Sequence, residues 1–365
     1  MATGKLAYLA EPDHVEIREY DVPDAEPGSI VTEIVRANVC GSELHIWRGE
    51  HPHLKNGVLG HEALCRVSEL GEGVERDNSG TPVSEGDLVV PAYFIACHEC
   101  EYCGVGEFQK CDNALRYWSK PPDEWPHFHG TFATHYYVHP EQFFYRVPEG
   151  LDEGVAAAAN CATSQMLCGM DRVDVTWNDT VVVQGAGGLG LNAVAVAQER
   201  GADTIVIDGV EGRLDRAESF GADHLVDMRE YETPEARADR VRELTDGLGA
   251  DVAVEVTGVP AAVDEGMRLL KKGGRYLEIG NIIPGKTTEF DPGRMTRKTV
   301  RVESLMRYEP WYLQHALDFL DAHADDYPFD ELLDAEYDLV DVTEALEHSD
   351  SRSVTRASLL PAHGD

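Results

Sequence analysis

The stretch that most constrains this chain is TVVVQGAGGLGLNAVAVAQERGADTIVIDGV, residues 180–210. Val181, Val182 and Val183 form a short β-branched run that reads as a strand. A turn follows with the spacing Gly185-x-Gly187-x-x-Gly190, and from Leu189 the pattern is Ala/Val-rich and helical to about Gly201. Thr204 to Ile207 form a second strand that Asp208 closes. Strand, tight turn, helix, strand is a unit with parallel strands, and it commits this region to an α/β sheet covered by helices. The glycines have separate tasks: a sharp turn, room for a pyrophosphate, and close packing of helix on strand. The helix N-terminus then offers partial positive charge to phosphates. Asp208 stands where a carboxylate accepts hydrogen bonds from a ribose. Gly185, Gly187, Gly188, Leu189, Gly190 and Asp208 are therefore candidate dinucleotide contacts. Asp208 favours NAD over NADP, because a 2′-phosphate would meet its charge, and Arg213 offsets this in part. A glycine-rich corner without a ligand is the competing reading; the flanking strand, helix and acid all weigh against it.

The alternation continues with a helix through Arg213–Phe220, a strand near His224–Val226, a helix around Ala236–Thr245 and the strand ADVAVEVTG. A helical stretch ending in Lys271-Lys272-Gly273-Gly274 then precedes RYLEIGN. This pattern implies a doubly wound parallel sheet. Cofactors bind at its strand C-termini, which makes Gly258 and Gly280 candidate backbone neighbours of a dinucleotide or, equally, plain turn glycines.

A second strong signal is Cys97-x2-Cys100-x2-Cys103-x7-Cys111. Four thiolates so close, with Gly104 and Gly106 loosening the loop, suit a closed tetrahedral zinc site with sulfurs at ~2.3 Å from the ion. A shell of four cysteines leaves no open position, so such a site is structural. An iron–sulfur cluster is the rival, but its motif favours Pro after the fourth cysteine, and here Asp112 follows. Elsewhere the chain scatters Cys40, Ser42, Glu43 and His45 in VCGSELHIW, His61 and Glu62 in LGHE, and Cys161 in ANCATSQ. Two thiolates and an imidazole make a three-ligand zinc with a free fourth position, the catalytic arrangement. Singly, each of these residues reads more simply as a small buried thiol or a core histidine.

The charge excludes one class of partner. Thirty-one basic residues against 67 acidic give a net charge of −36, so nucleic acid finds no counter-charge here. The acids are spread along the chain, which favours a surface kept soluble in strong salt, as in a halophilic organism, over an acidic recruiting tail. The first twenty residues contain no apolar stretch of signal-peptide length, and no run approaches a membrane span. Eight cysteines without a secretory signal point to thiols or metal ligands. A soluble cytoplasmic protein is the expectation.

Together, CGSELH, GHE, the four-cysteine lobe, NCATS and GAGGLG followed by VID resemble the medium-chain, zinc-dependent alcohol dehydrogenase family over essentially the whole chain. Ligation by two cysteines and a histidine is the known pattern of alcohol dehydrogenase itself, so ligand set and family are one observation. The resemblance implies a partly closed, GroES-like β-barrel catalytic domain over residues 1–162 and a doubly wound Rossmann domain over 163–304. A C-terminal return over 305–365 rejoins the catalytic domain. It implies two zinc ions per chain: one held by Cys40, His61 and Cys161 with Glu62 nearby, and one by Cys97, Cys100, Cys103 and Cys111. Ser42 matches the hydroxyl that contacts substrate oxygen, and His45 the group that passes the proton toward solvent. The implied activity is NAD(P)-linked interconversion of an alcohol and an aldehyde or ketone in a homodimer or homotetramer, with RYLEIGN to VRVESL as the contact region.

Some positions depart from the family. Glu43 stands where Asp is usual, and Cys65 where Gly is common; Gln165 replaces a Thr often found beside the nicotinamide. Cys161 argues against the polyol subgroup, which often uses Glu as third ligand. The stretch WSKPPDEWPHFHGTFATHYY makes Trp118, Trp125, His127 and His129 candidate walls of a substrate cleft or, as readily, an ordinary packed loop. Two other readings are a zinc-free reductase of the same superfamily, which would lack Cys40, His61 and the four-cysteine lobe, and a silent NAD-sensing relative, which would have lost a ligand or the Ser42–His45 pair.

Overall fold

Six strands between residues 180 and 304 pair side by side in a computed structural model that describes residues 2–361. Met1 and residues 362–365, the outer ends of the expected terminal segments, lie outside the described residues. The chain divides into two compact units. One comprises Gln165–Tyr308 and Asp325–Pro328; the other comprises Met1–Ser164, Glu309–Ala324 and Phe329–Asp365.

In the first of these units the strands lie in the order His224–Asp227, Asp203–Asp208, Thr180–Gln184, Ala250–Glu255, Leu270–Glu278, Arg301–Ser304. Every neighbouring pair is parallel. Counted along the chain this is third, second, first, fourth, fifth, sixth, the doubly wound order that reverses between the first and fourth strands. Val181–Val183, Ile205–Ile207 and Val252–Val254 are all buried, which β-branched runs achieve only when both sheet faces are covered. The helix Gly188–Glu199 buries every residue from Gly190 to Ala197, so it packs as a core element and not as an amphipathic surface helix. One expectation is corrected. The helix Ala261–Leu269 stops before Lys271, and residues 271–274 belong to the strand Leu270–Glu278. Leu270 already pairs with Ala250, the register shift between Ala250 and Val252 absorbs the extra residues, and Gly273 has φ +76°, which no helix accommodates.

The other unit is built on the strand Ile30–Asn38, which has three partners. Its first half pairs with His135–Val138, its end with Ala357–Leu359, and its other side with Glu62–Leu70. Bulges interrupt the last pairing at Val31/Thr32 and Ile34/Arg36 and bend the sheet, which continues through Leu88–Pro91 to Phe144–Arg146. A three-stranded sheet, His14–Asp21, Thr3–Glu11 and Gly57–Val58, closes part of the remaining gap. It is tied on through Ala7 N–H to the Phe132 carbonyl (2.8 Å) and Thr134 N–H to the Lys5 carbonyl (2.8 Å). The result is a partly closed barrel filled by Leu6, Ile30, Ile34, Cys65, Phe128 and Phe132. Among the described residues no helix is long and apolar enough to cross a membrane.

Candidate metal centres and dinucleotide edge

Three separate elements of the barrel unit deliver one cluster. Cys40 is the residue before the helix Gly41–Trp47, in extended backbone. His61 and Glu62 sit at the start of the strand Glu62–Leu70. Their approach is set by Gly60 at φ +92°, where a Cβ would lie 2.4 Å from the Phe132 backbone nitrogen, so only glycine allows the turn. Cys161 lies in a π-helical turn, Ala159–Thr163, whose five residues are all buried; such turns cost regular hydrogen bonding and recur at functional sites.

The ligand atoms of Cys40, His61, Glu62 and Cys161 all lie within 4.8 Å of one another. The Cys40 and Cys161 sulfurs are 3.9 Å apart, close to the ~3.8 Å that two thiolates at ~2.3 Å span across a tetrahedral zinc. Glu43 Oε1 is 2.6 Å from His61 Nδ1, so its extra methylene still reaches the ring. With the Nδ1 proton given to Glu43, His61 Nε2 presents its lone pair to a metal. Glu62 Oε1 is 3.9 Å from that Nε2 and is ion-paired to Arg356, while Glu62 Oε2 is buried without a hydrogen-bond partner among the described residues. An orphaned carboxylate oxygen beside two thiols and an imidazole fits a cation.

The protonation pattern has the same cause. The Cys161 thiol donates to Cys40, which pulls Cys40 well below the ordinary thiol range and, with burial, pushes Cys161 well above it. Burial disfavours a charged His61, yet its bonds to Cys40 and Glu43 carry it well above the usual imidazole value. Burial drives Glu62 up to about 7 against the pull of Arg356.

Ser42 Oγ is 3.5 Å from His61 Nε2, on the metal side of the ring. His45 is oriented by Glu50, with Nδ1 2.6 Å from Oε2. Of the four loop candidates, Trp118 reaches the centre: its ring is 5.3 Å from His61 and its Nε1 donates to the Val58 carbonyl (3.0 Å). Tyr93 meets the same imidazole edge-on at 5.3 Å. Trp125 instead packs on Tyr137 after a solvent-exposed turn, His127 stacks on Tyr20, and His129 donates to the Glu124 carbonyl. Cys65 is a core thiol, raised to about 12 by burial. Gln165 caps the Met306 carbonyl (2.8 Å) within its own unit.

The sulfurs of Cys97, Cys100, Cys103 and Cys111 also lie within 4.8 Å of one another. Cys100 precedes the one-turn helix Glu101–Gly104, and Gly106 at φ +80° turns the chain back toward Cys111. The Cys97 amide approaches the Cys111 sulfur at 3.4 Å. Hydrogen bonding from Asn113 lowers Cys97 to about 6, while burial raises Cys103 to about 12. Four sulfurs make this donor set soft and fill a tetrahedral shell, as a structural zinc requires.

At the C-terminal edge of the parallel sheet, Gly185 turns at φ +104° and Gly187 precedes the helix Gly188–Glu199 without a side-chain cap. The first amides of an α-helix have no partner within the helix, and here no side chain caps them. A Cβ on Gly190 would lie 1.9 Å from the Gly185 carbonyl oxygen. Asp208 accepts from Ala186 N–H (2.8 Å) and Val210 N–H (2.9 Å), and Arg213 stands 3.9 Å away. Gly258 and Gly280 face each other across the loops after the fourth and fifth strands.

Sequence reading missed Arg356, Glu50 and Tyr93. The signal for Arg356 was present as the single charge in the segment VTRASLL; nothing in the sequence paired it with Glu62, 294 residues away.

Comparison with known proteins bears on the family of the chain. The family profile described as "Alcohol dehydrogenase GroES-like domain" matches residues 26–149, and that described as "Zinc-binding dehydrogenase" matches 188–322. A 5-exo-hydroxycamphor dehydrogenase of Pseudomonas putida is 34% identical over 350 residues, 95% of this chain and 96% of the relative. A sorbitol dehydrogenase of Halalkalibacterium halodurans is 29% identical, covering 84% of each chain. The crystal structure of an alcohol dehydrogenase from Thermotoga maritima superposes with a TM-score of 0.93 at 31% identity, over 99% of this chain and 100% of the other.

Proposed function

The chain belongs to the zinc-binding, medium-chain alcohol dehydrogenase family, and from that premise we propose that it oxidises an apolar, cyclic secondary alcohol to its ketone with NAD as coenzyme. The observation that carries this reading is the buried cluster of Cys40, His61, Glu62 and Cys161 with its 3.9 Å sulfur separation. Cys40, His61 and Cys161 would hold the catalytic zinc, with Glu62 close enough to exchange onto it; Cys97, Cys100, Cys103 and Cys111 would hold the structural one. Zinc bound at the first centre supplies Lewis acidity that lowers the pKa of an alcohol oxygen.

The chain's own residues do the rest. Glu43 fixes the ring and tautomer of His61. Ser42 Oγ, on the metal side of His61, would accept the substrate hydroxyl proton while releasing its own toward His45, which, aligned by Glu50, would give up a proton to solvent in turn. The amides at the start of the helix Gly188–Glu199, opened by Gly185, Gly187 and Gly188 and followed by Leu189 and Gly190, seat the coenzyme pyrophosphate. Asp208 takes the adenosine ribose, and its charge disfavours a 2′-phosphate that Arg213 alone would have to offset. Gly258 and Gly280 would let the backbone approach the nicotinamide half, which would supply the hydride acceptor.

The substrate class follows from the two rings beside His61. Trp118 and Tyr93 offer apolar faces and few hydrogen-bond groups, which suit a hydrocarbon cage better than a polyol. In this reading the barrel unit is catalytic, the parallel-sheet unit holds the coenzyme, and the exposed edge strand Arg301–Ser304 pairs with a second copy.

The test is reduction of NAD+ and NADP+ in molar KCl with a panel of cyclic, linear and polyhydroxy alcohols, run beside Cys40→Ala. Turnover should be greatest with cyclic apolar alcohols and NAD+ and should vanish in the variant. Full turnover in Cys40→Ala would remove the zinc mechanism, and a preference for sorbitol over cyclic alcohols would remove the substrate class.

A further inference from the structure

At the C-terminal ends of the fourth and fifth strands of the parallel sheet, two carboxylates touch. Glu255 is fully buried, and the Glu278 carboxylate lies within hydrogen-bond reach of it. Between them they fasten both loops that follow. Glu255 Oε1 accepts from the amides of Thr257 (2.6 Å) and Gly258 (3.0 Å) and from the Thr257 hydroxyl; its Oε2 accepts from Asn281 Nδ2 (2.9 Å). Glu278 Oε1 accepts from the Asn281 amide (3.0 Å) and from Nδ2 (3.1 Å). Glu278 Oε2 is buried with no hydrogen-bond partner among the described residues.

The charged and titratable groups facing the pair bring no counter-charge. Tyr276 comes from the fifth strand and keeps its proton, because burial and these same acids raise it. Gln184 on the first strand is neutral. Glu265, on the helix packed behind, is held by Arg237 through bonds of 2.6 and 2.8 Å, so that cation is already matched. Two ionised carboxylates in contact in such a place repel strongly, and a single proton between them removes the repulsion and satisfies the orphaned oxygen.

We propose that Glu255 and Glu278 share one proton, and that this proton holds the loops at Thr257–Gly258 and Gly280–Asn281 in the arrangement that receives the nicotinamide coenzyme. The two glutamates are positioning residues, and binding of the coenzyme is thereby linked to uptake of a proton from solvent. This rests on the reading of this sheet edge as the coenzyme site. The packing leaves no slack to absorb repulsion: a Cβ on Gly280 would lie 2.5 Å from the Gly258 nitrogen and 2.6 Å from Glu255 Oε2. Any parting of the carboxylates therefore moves both loops. Burial and Glu278 together push Glu255 up to about 7, so the proton is lost within the working range of pH.

The test uses the zinc-loaded full chain and Glu278→Gln. The amide can keep Asn281 on its oxygen and donate permanently to Glu255 from its nitrogen, without titrating. NADH and NADPH affinity is read by fluorescence between pH 6 and 8.5, and thermal unfolding of the coenzyme-free protein over the same range. The wild-type Kd should rise with pH, by up to about tenfold per unit once the shared proton is lost, and that of Glu278→Gln should stay flat. A carboxyl raised above its unfolded value stabilises at low pH and loses that contribution as pH rises through about 7, so the wild-type Tm should fall across this range more than that of the variant. A wild-type Kd without pH dependence, or the same dependence in Glu278→Gln, overturns the proposal. If neither coenzyme binds at pH 6, the coenzyme reading and the linkage fail together, while the Tm difference still decides whether the proton is shared.

Discussion

Two alanine substitutions in one turn should both weaken coenzyme binding, but only one should cost stability. At Gly190 the added Cβ would stand 1.9 Å from the Gly185 carbonyl oxygen and 2.9 Å from its carbon, both backbone atoms. An ordinary carbon–oxygen contact is roughly 3.2 Å, so the helix Gly188–Glu199 must retreat by about 1.3 Å from the strand Thr180–Gln184. That helix is buried along eight successive residues, and overpacking of this kind costs about 1–3 kcal/mol, or roughly 3–10 °C in the Tm of a unit this size. The helix amides move with it, and displacement of order 1 Å weakens a positioned contact by up to about 100-fold. At Gly187 a Cβ meets nothing within 4 Å, so Gly187→Ala should leave stability within about 0.5 kcal/mol of wild type. It should nevertheless raise the NADH Kd about tenfold, because the methyl group occupies the space given to the pyrophosphate. The assays are scanning calorimetry and NADH fluorescence titration, with zinc content as the internal control, since the residues proposed above as zinc ligands all lie in the other unit. The reasoning is refuted if Gly190→Ala leaves Tm unchanged, or if Gly187→Ala destabilises as much as Gly190→Ala does.

Three further outcomes follow from the barrel unit. Glu43→Ala removes the 2.6 Å bond that orients His61 and should weaken catalytic zinc about 10–100-fold in chelator competition, with unchanged affinity contradicting its orienting role. Cys103→Ser should lower zinc content from about two ions per chain to about one while NADH still binds; retention of both ions would show that the four sulfurs do not share a metal. Trp118→Ala should shift the kcat/KM ratio of a cyclic alcohol over sorbitol by about tenfold toward sorbitol, and an unchanged ratio would remove the indole from the substrate wall.

The parallel sheet was readable because its evidence is local. Valine runs, glycine spacing and an acid at the second strand end all fall within residues 180–210, and each has a steric or electrostatic reason. The helix end before Lys271 was not readable, because it depends on Leu270 pairing with Ala250, a partner twenty residues away. The four-cysteine lobe is local too, and spacing alone gathers it. The other metal cluster joins residues 40, 61, 62 and 161, and no periodicity in the sequence brings them together; a family resemblance was needed to do so. Arg356 was beyond reach for the same reason in stronger form. The Glu255–Glu278 contact escaped notice because each acid, read alone, looks like an ordinary strand terminus; their facing positions follow from the register that pairs them across adjacent strands.

The three-partner strand Ile30–Asn38 has a consequence for how the molecule is made. The parallel-sheet unit is nearly one uninterrupted stretch, 165–308, whereas the barrel unit is assembled from three. The strand Ala357–Leu359 completes the pairing of Asn38, and Arg356 supplies the cation that Glu62 is buried against. During vectorial synthesis the sheet unit can therefore close while the barrel, begun earlier, still has an unpaired edge and an unmatched acid beside its future metal ligands. Residues 356–359, made after the sheet unit, thus complete a barrel whose central strand, Ile30–Asn38, was made before it.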